Sequence, residues 1–136
     1  MTDIANGKTV FVAGGAKGIG LGIVNALAAD GYDVSFSYRS SPDEALALRD
    51  SLQAQYPEQK IGTHQVDMSD RDQVDAFADH IAGTDSIYGL VYNAGGSYDT
   101  LAAMVDQDRA EALFQLNFWA LTRLAGAAAR PLMRAR

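Results

Sequence analysis

The chain has 136 residues, 48% hydrophobic and 21% charged, with a formal net charge of −6. That size and balance fit one ordinary globular domain with a real core, and exclude disordered, collagenous and simple repeat readings. There is no cysteine, which also excludes disulfides, thiolate metal sites and cysteine nucleophiles.

No apolar run reaches the ~20 residues a membrane crossing needs. Met1-Thr2-Asp3-Ile4-Ala5-Asn6 has neither a basic leader nor an apolar signal core, so a cytoplasmic protein is expected. Two histidines, His64 and His80, are too few to suggest a histidine-based metal site. Overall acidity argues against nucleic acid as a partner. The charge is uneven: residues 1–111 carry a net −10, whereas residues 112–136 hold Arg123, Arg130, Arg134 and Arg136 with no acid, a net +4.

Thr9 to Ala13 is a short, continuous, largely β-branched run and reads as a buried strand. A glycine-rich stretch, Gly14-Gly15-Ala16-Lys17-Gly18-Ile19-Gly20, follows it. Leu21 to Asp30 reads as a helix with Ile23, Val24, Leu27 and Ala28 on one face, ended by Gly31. Asp33 to Tyr38 alternates as a second strand. Ser41 is the expected N-cap of the next helix, with Pro42 at its first position and Glu44 completing a capping box. Ala45, Leu46, Leu48, Leu52 and Tyr56 supply its apolar stripe until Pro57 stops it. Ile61 to Val66 reads as a weaker third strand. Ser69-Asp70-Arg71-Asp72 caps a helix that turns Val74, Phe77, Ala78 and Ile81 inward, with Ser69 as the cap, and Gly83 ends it. Ile87 to Tyr92 reads as the fourth strand. Met104 to about Met133 carries one long helical pattern or two consecutive ones.

The order β-α-β-α-β-α-β-α predicts a four-stranded parallel sheet built by right-handed crossovers, with helices on both faces. This is a doubly wound α/β fold of Rossmann type, and residues 1–136 read as one domain. Its fourth strand would form an open edge.

In such sheets, ligands sit at the carboxyl ends of the strands, where the first βα turn meets a helix N-terminus. The glycines lie there. They let backbone amides approach a phosphate, and the following helix aims its free N–H groups and positive dipole end at the anion. Gly14, Gly18 and Gly20 give G-x-x-x-G-x-G. The common dinucleotide spacing is absent, and so is a P-loop, because Leu21 stands where its lysine would be.

Val12-Ala13-Gly14-Gly15-Ala16-Lys17-Gly18-Ile19-Gly20 resembles the TGxxxGIG loop of the short-chain dehydrogenase/reductase family, with Ala13 in place of the usual threonine. That threonine's hydroxyl often ties the loop to its neighbours. Three further motifs follow in family order. Asp67, with Met68 beside it, resembles the adenine-contacting aspartate. Tyr92-Asn93-Ala94-Gly95 resembles NNAG, with Tyr92 replacing the first asparagine. Asn117, within Leu116-Asn117-Phe118-Trp119, resembles the helix asparagine of the catalytic tetrad. The resemblance spans residues 8–136. It implies a bound dinucleotide held by Gly14, Lys17, Gly18, Ile19, Gly20, Asp67, Met68, Asn93, Ala94 and Gly95, with Asn117 supporting a proton-relay water.

An NAD site places an acid at the end of the second strand, where it accepts from ribose hydroxyls. Here that end reads Ser37-Tyr38-Arg39-Ser40. Asp33 lies at the strand's beginning, away from the site. Arg39 is placed to pair with a 2′-phosphate, with Ser40 as a further donor and Lys17 as a second cation, which favours NADP.

The family's catalytic serine and Tyr-x-x-x-Lys pair would fall beyond Arg136. Tyr56-Pro57-Glu58-Gln59-Lys60 has the spacing, but Pro57 ends the helix there, so it reads as a decoy. No helix-stop signal precedes Arg136, and the chain is expected to be the N-terminal portion of a longer reductase. Within the family, Ser37 to Ser41, Asp99-Thr100-Leu101 and Arg130-Pro131-Leu132-Met133 resemble 3-oxoacyl-[acyl carrier protein] reductases. That resemblance implies NADPH-dependent reduction of a 3-oxoacyl thioester, small or carrier-bound, by an oligomeric enzyme, a tetramer or a dimer. The arginine-rich tail would then either steer an acidic carrier protein or complement a helix dipole. Phe114, Phe118, Trp119 and Leu121 would serve a subunit interface or the core. A non-catalytic NADP-binding module and a fragment that binds nothing remain the alternatives.

Overall fold

The computed structural model describes residues 5–135. Met1 to Ile4, on which the leaderless reading of the N-terminus partly rests, and Arg136 of the basic tail lie outside the described residues. Strands and helices alternate as β1 (Thr9–Ala13), α1 (Gly18–Ala29), β2 (Asp33–Tyr38), α2 (Pro42–Gln55), β3 (Ile61–Gln65), α3 (Arg71–Ala82) and β4 (Ile87–Tyr92). A short 3-10 turn, Ala102–Met104, precedes α4 (Gln107–Phe114), a π-helical turn (Gln115–Trp119) and α5 (Ala120–Arg134).

The four strands form one parallel sheet in the order β3-β2-β1-β4. The chain therefore reverses direction of growth between β1 and β4, and the doubly wound Rossmann-type fold is the observed one. Alternation along β1 divides the core. Val10 and Val12 face α1 and α2, packing with Val24, Ala28, Ala45 and Leu52. Phe11 and Ala13 face α3 and α5, packing with Val74, Phe77, Ala78, Ile81, Leu124 and Ala128. Each fully buried large side chain, such as Phe11 or Phe36, contributes about 1.5–3 kcal/mol from burial.

Alternation in β2 has a second meaning. Val34 and Phe36 join the α1/α2 side of the core, while Ser35 and Ser37, on the opposite face, are buried yet polar. Both find partners, Ser35 with His64 and Ser37 with the Gly14 amide. Asp33 is buried at the other end of the strand and accepts from the Lys60 amide at 2.9 Å. That bond explains its presence without a ligand.

Several local expectations are corrected. α1 begins at Gly18, three residues before the expected start, and Gly31 follows it with φ +100°. Val66 lies just beyond β3. Leu46 in α2 is largely exposed, leaving Ala45 and Leu52 as the buried positions. Ser41 is the N-cap of α2 with Pro42 next, but its hydroxyl makes no capping bond. Among the described residues no capping box forms; Glu44 lies 3.9 Å from the Lys17 ammonium. The cap of α3 is Asp70, which accepts from the amides of Asp72 and Gln73. Ser69 lies one residue before the N-cap, because the helix begins at Arg71; its amide and hydroxyl both donate to Asp67 at 2.9 and 2.6 Å. The pattern from Met104 to Met133 resolves into α4 and α5 joined by the π turn, and helix begins only at Gln107. Phe114, Phe118, Trp119 and Leu121 are exposed and are not part of the core.

Candidate functional site

β1 delivers the chain to the glycine loop, and four hydrogen bonds hold that loop, two to Ser37 and two from Asn93. The Gly14 amide donates to Ser37 Oγ at 3.0 Å, and the Gly15 amide donates to the Ser37 carbonyl at 2.9 Å. Asn93, just past β4, donates its amide to the Ala13 carbonyl at 2.9 Å and its side-chain Nδ2 to the Gly14 carbonyl at 3.3 Å. The loop is thus clamped between the ends of β2 and β4. Ser37 supplies a loop-fastening hydroxyl from β2, where Ala13 offers none.

The glycines are required by geometry at two points. Gly14 has φ +82°, and a Cβ there would lie 3.0 Å from the Ala94 nitrogen. A Cβ on Gly20 would lie 1.8 Å from the Gly14 carbonyl oxygen, so the first turn of α1 rests directly on the loop. Lys17 is the N-cap of α1 and makes no side-chain capping bond, and no acid occupies the first turn. Ile19, in that turn, is 76% exposed. A helix start with free amides and no carboxylate is a ready seat for an anion.

A cleft of ≈ 270 Å³ opens beside this loop. Gly14 and Lys17 line it from the loop, Ser37 to Ser41 from the end of β2, Met68 from beyond β3, and Asn93, Ala94 and Gly95 from beyond β4. It sits at the carboxyl ends of the strands, at the crevice where β1 separates β2 from β4. Lys17, Arg39 and Ser40 line one cleft together, with no carboxylate among its lining residues.

Five candidates stand apart from that lining. Gly18, Ile19 and Gly20 open α1. Asp67 turns its carboxylate into a local loop, where hydrogen bonds from Ser69 hold its pKa below the usual range, assisted by the charge of Arg39 and opposed by partial burial. Asn117, the fifth, is paired at both ends with one backbone residue. Its Oδ1 accepts from the Gly96 amide at 3.0 Å and its Nδ2 donates to the Gly96 carbonyl at 2.9 Å. The Tyr56/Lys60 pair is separated by structure as expected, since α2 ends at Gln55 and Tyr56 is its C-cap.

Sequence reasoning missed Ser37, Gly96, Leu116 and the role of the Tyr92 hydroxyl. The serines of β2 gave one readable signal, since small polar residues alternating within a buried strand must find partners. It also treated the two histidines as unrelated. Their rings lie 4.6 Å apart between β3 and α3. Burial, reinforced by His80, pushes the His64 pKa down.

The basic tail lies elsewhere. Arg123 is tied to Asp75 at 3.0 Å and Asp79 at 3.6 Å on α3. Arg130 and Arg134 stand roughly 20 and 25 Å along the helix axis from Asn117, at 1.5 Å per residue. They are not beside the cleft of this chain. Arg134, in the last turn of α5, is placed to complement the helix dipole.

Comparison with known proteins agrees with this geometry. The short chain dehydrogenase family matches residues 8–136. A cyclic-di-GMP-binding biofilm dispersal mediator protein of Escherichia coli is 34% identical over 93% of this chain and 49% of its own length. The 3-oxoacyl-[acyl-carrier-protein] reductase MabA of Mycobacterium tuberculosis is 31% identical over 93% of this chain and 46% of its own. A short chain dehydrogenase from Burkholderia cenocepacia, crystallised in complex with NADP, superposes with a TM-score of 0.81 at 32% identity, covering 93% of this chain and 51% of that one. The chain thus spans about half the length of the proteins it matches.

Proposed function

The chain belongs to the short chain dehydrogenase family, and from that premise we propose that its cleft binds NADP(H) as the cofactor half of a carbonyl reductase. The carrying observation is that Lys17, Arg39 and Ser40 line one cleft with no acid among the lining residues. Two cations and a hydroxyl suit a 2′-phosphate, whereas a ribose hydroxyl without phosphate calls for a carboxylate. The glycine loop and the uncapped start of α1 suit the diphosphate, because a Cβ at Gly14 or Gly20 would fill that space. When bound, the dihydronicotinamide supplies a hydride to a carbonyl carbon.

The chain's own residues then bind and orient. Asn93 and Gly95 wall the cleft, Met68 and Asp67 border the adenine end, and Asn117 stands at the loop past β4 to hold a water in the proton path. Asn117 is engaged by Gly96 on both polar atoms, so its contribution runs through placement of that loop and its own backbone. Reduction also needs a proton donor at the carbonyl oxygen. The one Tyr-x-x-x-Lys spacing in the chain has no helix beneath it. The chain alone is therefore proposed to bind cofactor without turnover, and the longer protein to reduce a 3-oxoacyl thioester on an acyl carrier protein. The exposed Phe114, Phe118 and Trp119 are proposed to meet a second copy there.

Fluorescence titration with NADPH and NADH tests the reading. Saturable NADPH binding, at least tenfold tighter than NADH, is expected; equal affinities, or none, overturn it.

A further inference from the structure

The helix from Gln107 to Arg134 is α-helical except at Gln115–Trp119, where it widens into a π turn. The local sequence, Gln115-Leu116-Asn117-Phe118-Trp119, contains no proline or glycine to force the change. In an α-helix the Ala120 amide would donate to the Leu116 carbonyl, four residues back. Here it donates to Gln115, five residues back. The Leu116 carbonyl instead accepts from the hydroxyl of Tyr92, at the end of β4. The bond lost from the ladder and the bond gained from the sheet concern the same oxygen.

We propose that Tyr92 is a positioning residue: its hydroxyl draws the Leu116 carbonyl out of the α-helical ladder, and the resulting π turn sets Asn117 against Gly96. This rests on the cofactor reading only for the use to which Asn117 is put. Three observations support it. Tyr92 pairs in register with Ala13, the residue that leads into the glycine loop, so the hydroxyl is fixed relative to that loop. Burial pushes the Tyr92 pKa up to about 12, which keeps the group a donor at ordinary pH. The helix also approaches the loop closely, since a Cβ on Gly96 would lie 3.1 Å from Leu116 Cδ2. Restoring the α register would turn α4 about 100° relative to α5, one residue's rotation, and carry Asn117 away from Gly96.

Tyr92→Phe keeps the ring and removes the donor. In the isotope-labelled chain, NMR couplings across hydrogen bonds identify which carbonyl receives the Ala120 amide. The unmodified chain should couple to Gln115. Tyr92→Phe should couple to Leu116, with about tenfold faster exchange of the Asn117 side-chain amide, the weight of one net hydrogen bond. Replacing Tyr92 by 4-aminophenylalanine, which restores a donor, should return the coupling to Gln115. A Tyr92→Phe chain that still couples to Gln115, with an unchanged Asn117 amide, overturns the proposal. Should Tyr92→Phe not fold, the unmodified chain decides: a slowly exchanging Tyr92 hydroxyl proton in contact with Leu116 supports the proposal, and its absence overturns it. NADPH titration of the same samples is read separately. Failure of the unmodified chain to bind rejects the cofactor reading and leaves the register result standing.

Discussion

Ser37→Ala isolates the bond that fastens the glycine loop to the sheet. Ser37 is 2% exposed, and its Oγ accepts from the Gly14 amide at 3.0 Å. The Gly15 amide donates to the Ser37 backbone carbonyl at 2.9 Å, a bond the substitution leaves in place. The variant therefore removes one of the two Ser37 bonds to the loop and deletes a single oxygen atom, which opens no sizeable cavity. An amide left without an acceptor costs about 1–3 kcal/mol when buried. Gly14 is only half-buried and lines the cleft, so water recovers part of the loss and the low end, about 1–2 kcal/mol, is expected. At a urea slope of about 2 kcal/mol per molar, the middle of the range for small proteins, the unfolding midpoint should fall by roughly 0.5–1 M. The same loosening should weaken NADPH, since each 1.4 kcal/mol is about tenfold in Kd. Urea unfolding followed by circular dichroism, beside a fluorescence titration, measures both. An unchanged midpoint together with an unchanged NADPH affinity would show that the Gly15 bond and the two bonds from Asn93 hold the loop without the hydroxyl.

Arg39→Glu should weaken NADPH by tenfold or more and strengthen NADH, because a carboxylate repels the 2′-phosphate and accepts from a ribose hydroxyl; parallel titrations read the switch, and an unaltered preference refutes the assignment. Gly20→Ala places a Cβ 1.8 Å from the Gly14 carbonyl oxygen and should destabilise at the upper end of single substitutions, about 4 kcal/mol or more; a melt within 2 °C of the unmodified chain would contradict that steric reading. The depressed His64 pKa means that the unfolded chain takes up the proton first. Stability should therefore be full above about pH 6.5, fall as pH drops towards the folded value, and level below it. The depressed carboxyl of Asp67 adds a separate loss below about pH 4. His64→Gln should erase the upper limb of a stability profile against pH and keep the lower one. Arg123→Ala removes two exposed ion pairs to α3 and should cost no more than about 1 kcal/mol; calorimetry showing several kcal/mol would reveal a larger packing role.

The fold was legible because its signals are local and repeated. Val74, Phe77, Ala78 and Ile81 mark one face of α3 at helical spacing, and all four are buried. The continuous run Val10 to Ala13 reads as a strand covered on both faces, and it is. The place of the glycine loop followed from the order of elements alone. What escaped depends on partners distant in sequence. Ser37 meets Gly14 across 23 residues, and Tyr92 meets Leu116 across 24. No window of local pattern contains either pair. The cap of α3 escaped for a different reason. Ser69 and Asp70 are both good caps, and the one-residue difference in where the helix begins, at Arg71, puts Asp70 at the cap. Glu44 likewise fits a capping box by spacing, yet it stands 3.9 Å from Lys17, a residue 27 positions away that no local window contains.

β4 ends the described sheet and is paired on one side only, with β1. The exposed Tyr88 lies in this strand, and Phe114, Phe118 and Trp119 are exposed in the helix beyond. Such a strand makes the folding free energy of the chain a function of its surroundings. Any species that covers the edge of the folded form adds RT ln(1 + [L]/Kd), about 2.7 kcal/mol at a hundredfold excess over Kd. A melting temperature taken at one protein concentration then describes the chain together with whatever covers it. A dilution series converts that dependence into a binding isotherm for the edge itself.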